Sequence, residues 1–313
     1  MELLQEEKMK NIEIVGTGRY LPSRKIENWQ LEQEEKLPKD YIYSRCGILT
    51  RYYVQEETIV EMAVRAAFDV IQKKKIDSSN IEMILVASTS SKEQMPGISF
   101  QVQKALQIPS CICLDVSAGC SGYINALDIA RLYVSAGIAT NALIIGVDVL
   151  STITKEPATK ILLADGAGAT FIQATNEPKE YASLLESNGI EGDILTYQVG
   201  NYIQMNGKEI YRYAVTKTTK NIEELLEKTQ KTIQDIDYFI PHQSNQKILD
   251  SMVKRLQIEK KKMISNIQNV GNTFCASIPI ALDEVFDQIR PGQRILLSGY
   301  GGGLNTGSIL LEK

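Results

Sequence analysis

Three short segments bring together residue types that could do nucleophilic chemistry. The first is Ser117-Ala118-Gly119-Cys120-Ser121-Gly122, where small residues flank a cysteine at a strand-to-helix turn. A cysteine at a helix N-terminus has its thiolate stabilised by the helix dipole and by free backbone N–H groups. A buried structural cysteine fits the same segment. The second is Pro241-His242-Gln243-Ser244-Asn245, which holds the one histidine of the chain at the end of an apolar strand. A lone histidine is often structural, yet strand ends are where α/β proteins place reactive groups. The third is Asn269-Val270-Gly271-Asn272-Thr273. Asn272 could be a helix N-cap, or its amide could steady an oxyanion or an enolate. Cysteine and histidine in one pocket form an activated nucleophile pair, and a nearby amide adds electrostatic stabilisation. A glycine run, Gly299-Tyr300-Gly301-Gly302-Gly303, offers close backbone approach and N–H donors, or simply a tight turn. No helical pattern follows it, so it is not a dinucleotide-binding fingerprint.

The elements that must position these residues repeat. Ile84–Ser90 and Tyr238–Ser244 are each an apolar strand running into a polar turn. Asp115–Cys120 followed by Ala126-Leu127-Asp128 has its counterpart in Asn269–Cys275 followed by Ala281-Leu282-Asp283. Ala142–Gly146 matches Arg294–Ser298. Three matched segments in one order, at nearly one offset, imply two similar α/β halves with a site at their junction. The Asn/Gly/Glu-rich stretch from Asn176 to Lys208 is expected to connect them, with a hairpin near Gln204–Tyr213. Lys73–Lys75 and Lys260–Lys262 are expected to close helices, where cations suit the dipole. The chain has 313 residues, 43% hydrophobic and 23% charged, an ordinary globular composition. Its net charge of −4 gives no support to a nucleic-acid surface. No apolar run approaches the roughly 20 residues of a membrane span, and Met1–Lys10 is charged, unlike a secretory leader. Five cysteines without a regular framework suggest a reducing, cytoplasmic setting, and Cys111-x-Cys113 alone makes a poor zinc site. Neither a metal nor another cofactor is expected.

Taken together, Ala-Gly-Cys-Ser-Gly, Pro-His-Gln-Ser-Asn, Gly-Asn-Thr-x-x-Ala-Ser-x-Pro and Gly-Tyr-Gly-Gly-Gly resemble the β-ketoacyl-acyl-carrier-protein synthase III family. Gly16–Pro22, Arg45–Ile48 and Asp165–Ala169 extend the resemblance over nearly the whole chain. It implies a thiolase-like, five-layered α-β-α-β-α sandwich with an internal pseudo-twofold duplication, and a homodimer. Residues 1–174 would be the half carrying the nucleophilic cysteine, and 175–313 the half carrying the histidine and asparagine. It implies that Cys120 takes an acyl group from an acyl-CoA or acyl-carrier-protein primer. Malonyl-acyl carrier protein then loses CO₂ and condenses with it. His242 and Asn272 would stabilise the enolate, and the N–H groups of Cys120 and Gly302 would form the oxyanion hole. The pathway would be fatty-acid initiation or a related specialised one.

The alternative within the fold is acyl transfer to a hydroxyl or amine without condensation. Degradative thiolases are disfavoured because Tyr300 stands where their second cysteine stands, while Cys275 lies at the duplicated copy of Cys120. A hydroxymethylglutaryl-CoA synthase would need a glutamate acid, and Glu93 is weakly placed for it. An idle partner subunit would be expected to lose the cysteine. The aromatic residue at the end of the family's acyl pocket aligns with Met95. The Trp and Arg that sandwich the adenine of coenzyme A align with Tyr41 and Thr152, and the only Trp, Trp29, lies elsewhere. A carrier-delivered primer is therefore expected, unless Arg24 or Lys155 rebuilds the adenine site. Lys247, Lys254 and Arg255, on one helical stretch after His242, are expected to dock the acidic carrier protein.

Overall fold

Met83–Ala87 is buried along its whole length, as expected of a parallel strand covered on both faces. It is an inner strand, one in from the edge, of a five-stranded sheet in a computed structural model that describes residues 10–92 and 95–313. Residues 1–9 and Glu93, and the expectations attached to them, lie outside the described residues. The sheet order is Asn11–Tyr20, Gly166–Thr175, Asn141–Asp148, Met83–Ala87, Ile112–Val116. Met83–Ala87 runs parallel to both neighbours, and the remaining pairs are antiparallel.

The second sheet repeats this plan. Its order is Tyr181–Ser187, Asn305–Glu312, Arg294–Gly301, Tyr238–Pro241, with the last pair parallel and the others antiparallel. The counterpart of Ile112–Val116 shrinks to one parallel bridge, Phe239 to Met263. This correspondence of order and direction is the duplication read from the sequence.

Helices complete the layers. Gly122–Ser135 and Ser277–Val285 lie between the sheets, and their Ala126, Leu127, Ile278 and Leu282 join Leu85 and Leu297 in one core. Ile59–Lys74 covers the outer face of the first sheet through Met62, Ala66 and Val70. It opens on a capping box between Thr58 and Glu61 and closes on Lys73 and Lys74, which satisfies both ends. Thr219–Lys228 and Gln246–Leu256 cover the second sheet through Ile222, Leu225, Leu249 and Met252. The result is an α-β-α-β-α sandwich. No helix among the described residues is long and apolar enough to cross a membrane.

Three local expectations are corrected. Only Gln204–Met205 of the expected hairpin is extended, paired with Leu195–Thr196. Asn206 then caps a helix, Gly207–Tyr213, by accepting from the Glu209 N–H at 3.3 Å, and an Asx cap outweighs weak alternation. The connecting stretch contains a full strand, Tyr181–Ser187. Lys260–Lys262 form a separate 3₁₀ turn, because the preceding helix stops at Leu256 with Gln257 in the left-handed region at φ 54°.

Candidate active site

Cys120 stands in a one-turn 3₁₀ segment, Gly119–Ser121, that leads directly into the helix Gly122–Ser135. The turn requires Gly119 at φ +55°, and a Cβ there would lie 2.6 Å from the Gly302 carbonyl oxygen. The glycine run presses on the cysteine from the other side. A Cβ on Gly301 would lie 2.4 Å from the Cys120 nitrogen. Only hydrogen side chains permit that approach. Asn305 ties the two loops together: its Nδ2 donates to Ala118 O at 2.8 Å and Gly302 O at 3.2 Å, and its Oδ1 meets the Ser121 hydroxyl.

The Cys120 thiol is pushed well up by burial and by the charge of Asp148. The backbone N–H groups of Gly302 and of Cys120 itself act the other way. Both N–H groups therefore favour the thiolate over the thiol.

His242 ends the strand Tyr238–Pro241, and its N–H donates to Ser298 O at 2.8 Å. Its Nδ1 lies 2.6 Å from Ser277 Oγ, which also receives the Gln243 N–H at 3.4 Å. Burial lowers the imidazole to about 3, so the ring is neutral near pH 7. Tyr300 packs edge-on against it at 5.3 Å and 73°, and the Tyr300 hydroxyl meets that of Ser244. Asn272 follows the short helix Ile267–Val270. Its backbone pairs with Leu162 and Ala164, and its Oδ1 accepts from the Phe274 N–H at 3.1 Å. That bond leaves the Nδ2 donors for the cavity. It also holds Phe274 at φ +45°, a conformation that costs an L-residue about 1–3 kcal/mol.

One cavity is lined by Cys120, His242, Asn272, Phe274 and Tyr300. Cys120 follows the strand Ile112–Val116 of the first sheet, while His242 follows the strand Tyr238–Pro241 of the second and Asn272 lies further along the same part of the chain.

Two family models match the chain. The one described as 3-oxoacyl-[acyl-carrier-protein (ACP)] synthase III covers residues 114–189, and its C-terminal counterpart covers residues 226–313. A β-ketoacyl-[acyl-carrier-protein] synthase III of Clostridium perfringens is 36% identical over 97% of this chain and 100% of its own. The chain belongs to the 3-oxoacyl-[acyl-carrier-protein] synthase III family. It is thus an enzyme of the acyltransferase class on the thiolase fold. The crystal structure of the Aquifex aeolicus synthase III superimposes with a TM-score of 0.94 at 34% identity, covering 96% of this chain and 100% of that one. The priming β-ketosynthase of the R1128 polyketide pathway gives 0.93 at 25% identity, covering 99% and 98%.

Other expected synthase III residues lie apart. Met95 is 94% exposed and does not line the cavity, because the segment Met95–Ser99 sits over the sheet edge, with the Ser99 N–H on Asp115 at 2.9 Å. The acyl-pocket expectation for Met95 is therefore not met within this chain. Lys247, Lys254 and Arg255 are exposed and free of ion pairs among the described residues. The helix they ride places Ile248 in the cavity wall, next to Asn245. Tyr41 is half-buried under the Arg45 guanidinium at 5.1 Å, Lys155 lies over Tyr202 at 5.5 Å, and Thr152 and Arg24 are exposed. Cys275 is buried behind the Cys120 turn and its Sγ donates to Gly119 O at 3.1 Å.

Three supporting residues escaped the sequence reading. Asp148 accepts from the N–H groups of Thr89, Ser90 and Cys275 and so joins the two halves under the site. Ser277 and Asn305 act through His242 and the cysteine loop. In the sequence Asp148 shows only as a polar side chain inside an apolar run, Ser277 lies within the Gly-Asn-Thr-x-x-Ala-Ser-x-Pro motif without a sign of its role, and Asn305 follows the glycine run with nothing to mark it.

Proposed function

We propose that this chain performs a decarboxylative condensation through an acyl-Cys120 intermediate. The observation that carries the reading is the convergence of Cys120, His242 and Asn272 from two halves on one cavity. The Cys120 sulfur attacks the carbonyl of an acyl thioester. A new C–S bond forms, the donor C–S bond breaks, and the departing thiol takes the proton. The N–H groups of Cys120 and Gly302 hold the oxyanion. Malonyl-acyl carrier protein then loses CO₂, and the electron pair of the broken C–C bond becomes an enolate. His242 Nε2–H and Asn272 Nδ2–H hydrogen-bond its oxygen, a contribution of about 3–4 kcal/mol per donor in comparable sites. The enolate carbon attacks the acyl-enzyme and Cys120 leaves as thiolate.

His242 can donate because Ser277 supports it. We read the Ser277 O–H as the donor to Nδ1, which leaves the proton on Nε2, facing the substrate. The exposed Lys247, Lys254 and Arg255 lie on the helix whose Ile248 lines the cavity, so we assign them to the acidic carrier protein. Tyr41 is occupied by Arg45 and Thr152 offers neither charge nor ring, so we assign priming to an acyl carrier protein in preference to free acyl-CoA. Residues 1–174 and 175–313 are taken as the two halves. The outer edge of Ile112–Val116 is unpaired among the described residues, with Ile112 and Leu114 half-buried, and we assign it to a homodimer contact that would also cover Met95. A native mass of two chains is the check.

The acyl-enzyme is tested by intact-mass measurement after exposure to one acyl group on coenzyme A and on carrier protein. Addition of the acyl mass, faster from the carrier, and no addition on Cys120→Ala is the expected result. An equal adduct on Cys120→Ala would remove the nucleophile assignment. Equal loading from both donors would remove the carrier preference alone.

A further inference from the structure

The turn that carries Cys120 has a copy in the second half. Gly119–Ser121 leads into Gly122–Ser135, and Phe274–Ala276 leads into Ser277–Val285 in the same way. The register that pairs Cys120 with Cys275 pairs Gly119 with Phe274. Both stand in the left-handed region, Gly119 at φ +55° and Phe274 at φ +45°. Glycine is the ordinary occupant of such a position, and a side chain there is disfavoured. In the first half the Gly302 carbonyl oxygen leaves no room for even a Cβ on Gly119. In the second half a phenyl ring fills the position against the local backbone preference. The turn itself does not need that ring, so its use lies in what the ring adjoins.

The ring stands beside the nucleophile. A second cavity, with Gly119, Ile203 and Gly302 in its wall, meets the first at Cys120, Leu195 and Phe274. Phe274 also packs with Cys120, Leu150, Ile153, Leu163 and Ile203 in one buried apolar cluster. Its backbone is pinned on both sides: the Phe274 N–H donates to Asn272 Oδ1 at 3.1 Å and the Cys275 N–H to Asp148 Oδ2 at 3.0 Å. A ring so held in a close-packed cluster has little freedom to move aside. Given the acyl-Cys120 reading above, the first carbons of an acyl group must lie at this junction, whichever cavity holds the end of the chain.

We propose that Phe274 is a specificity-determining residue: its ring shuts out acyl groups branched next to the thioester carbonyl and so confines Cys120 to straight-chain primers. One misplaced methyl group in an apolar pocket is enough for discrimination of about tenfold or more. The experiment is single-turnover acylation of Cys120 by thioesters on one common donor. Butyryl is compared with isobutyryl, and pentanoyl with 2-methylbutanoyl, on the native protein, on Phe274→Gly and on Phe274→Leu. Glycine suits the backbone and removes the ring, while leucine keeps a smaller apolar side chain. The native protein should load each straight chain about tenfold faster or more than its branched isomer. That ratio should fall towards one in Phe274→Gly and fall in part in Phe274→Leu. General damage to the fold would slow both isomers alike and leave the ratio unchanged, so the ratio is the readout. Equal loading of the isomers by the native protein would overturn the proposal. So would a ratio that keeps its native value in both variants, which would mean that the branch itself slows acylation. If no thioester acylates Cys120, the acyl-enzyme reading fails and this proposal fails with it.

Discussion

A neutral imidazole that keeps its proton on Nε2 is the most exacting demand made of any single residue. Burial alone sets the charge state of His242: desolvation lowers its pKa to about 3. The unfolded chain protonates this ring near 6.5 and the folded chain does not. The resulting stabilisation is complete above about pH 6.5 and is lost as the pH falls towards 3. Because the chain has one histidine, its imidazole nitrogens give an unambiguous NMR signal. The expected spectrum shows the Nε2–H tautomer with no titration between pH 8 and 5. Ser277→Ala should mix the tautomers and slow condensation by about 10²-fold, the scale of a misplaced catalytic group. Titration near pH 6.5, or a pure Nδ1–H form in the native protein, would contradict the assignment.

At the scale of elements, the site depends on two loops packed at backbone distance. Gly301→Ala would drive a methyl group to within 2.4 Å of the Cys120 nitrogen. It should reduce acylation by about 10²-fold, the value of one oxyanion donor, with the circular-dichroism spectrum unchanged. Normal acylation would show that Gly302 and Cys120 do not share the oxyanion. The helix Gln246–Leu256 carries the docking assignment. Lys247→Glu should raise the Michaelis constant for malonyl-acyl carrier protein several-fold, most strongly at low salt; an unchanged constant would remove this face. These elements differ in how plainly the sequence announces them. Met83–Ala87 and Gln246–Leu256 are legible because burial and amphipathic period leave clear patterns. Asn305–Glu312 is legible only through the reading of the glycine run as a tight turn between strands, which requires a strand after it. Tyr181–Ser187 is half-exposed and so lacks the apolar run that marks its neighbours.

For the whole molecule, the duplication was legible because both halves need the same buried strands, and its consequence is a site that neither half holds alone. The proposed catalytic trio of Cys120, His242 and Asn272 could be read from turns at equivalent positions. Ser277, Asp148 and Asn305 could not, since their roles depend on contacts between distant segments, such as Asp148 with the Cys275 N–H at 3.0 Å. Met95 is exposed on the surface of the single chain, so position along the sequence does not say what it packs against. The central claim is that the two halves cooperate in condensation and not in simple acyl transfer. It is tested most directly by supplying acyl-primed enzyme with malonyl-acyl carrier protein and measuring CO₂ together with the product. The account predicts one CO₂ released per β-ketoacyl-carrier protein formed, with both lost in Asn272→Ala while Cys120 still acylates. An ester or amide product formed without CO₂ would contradict it.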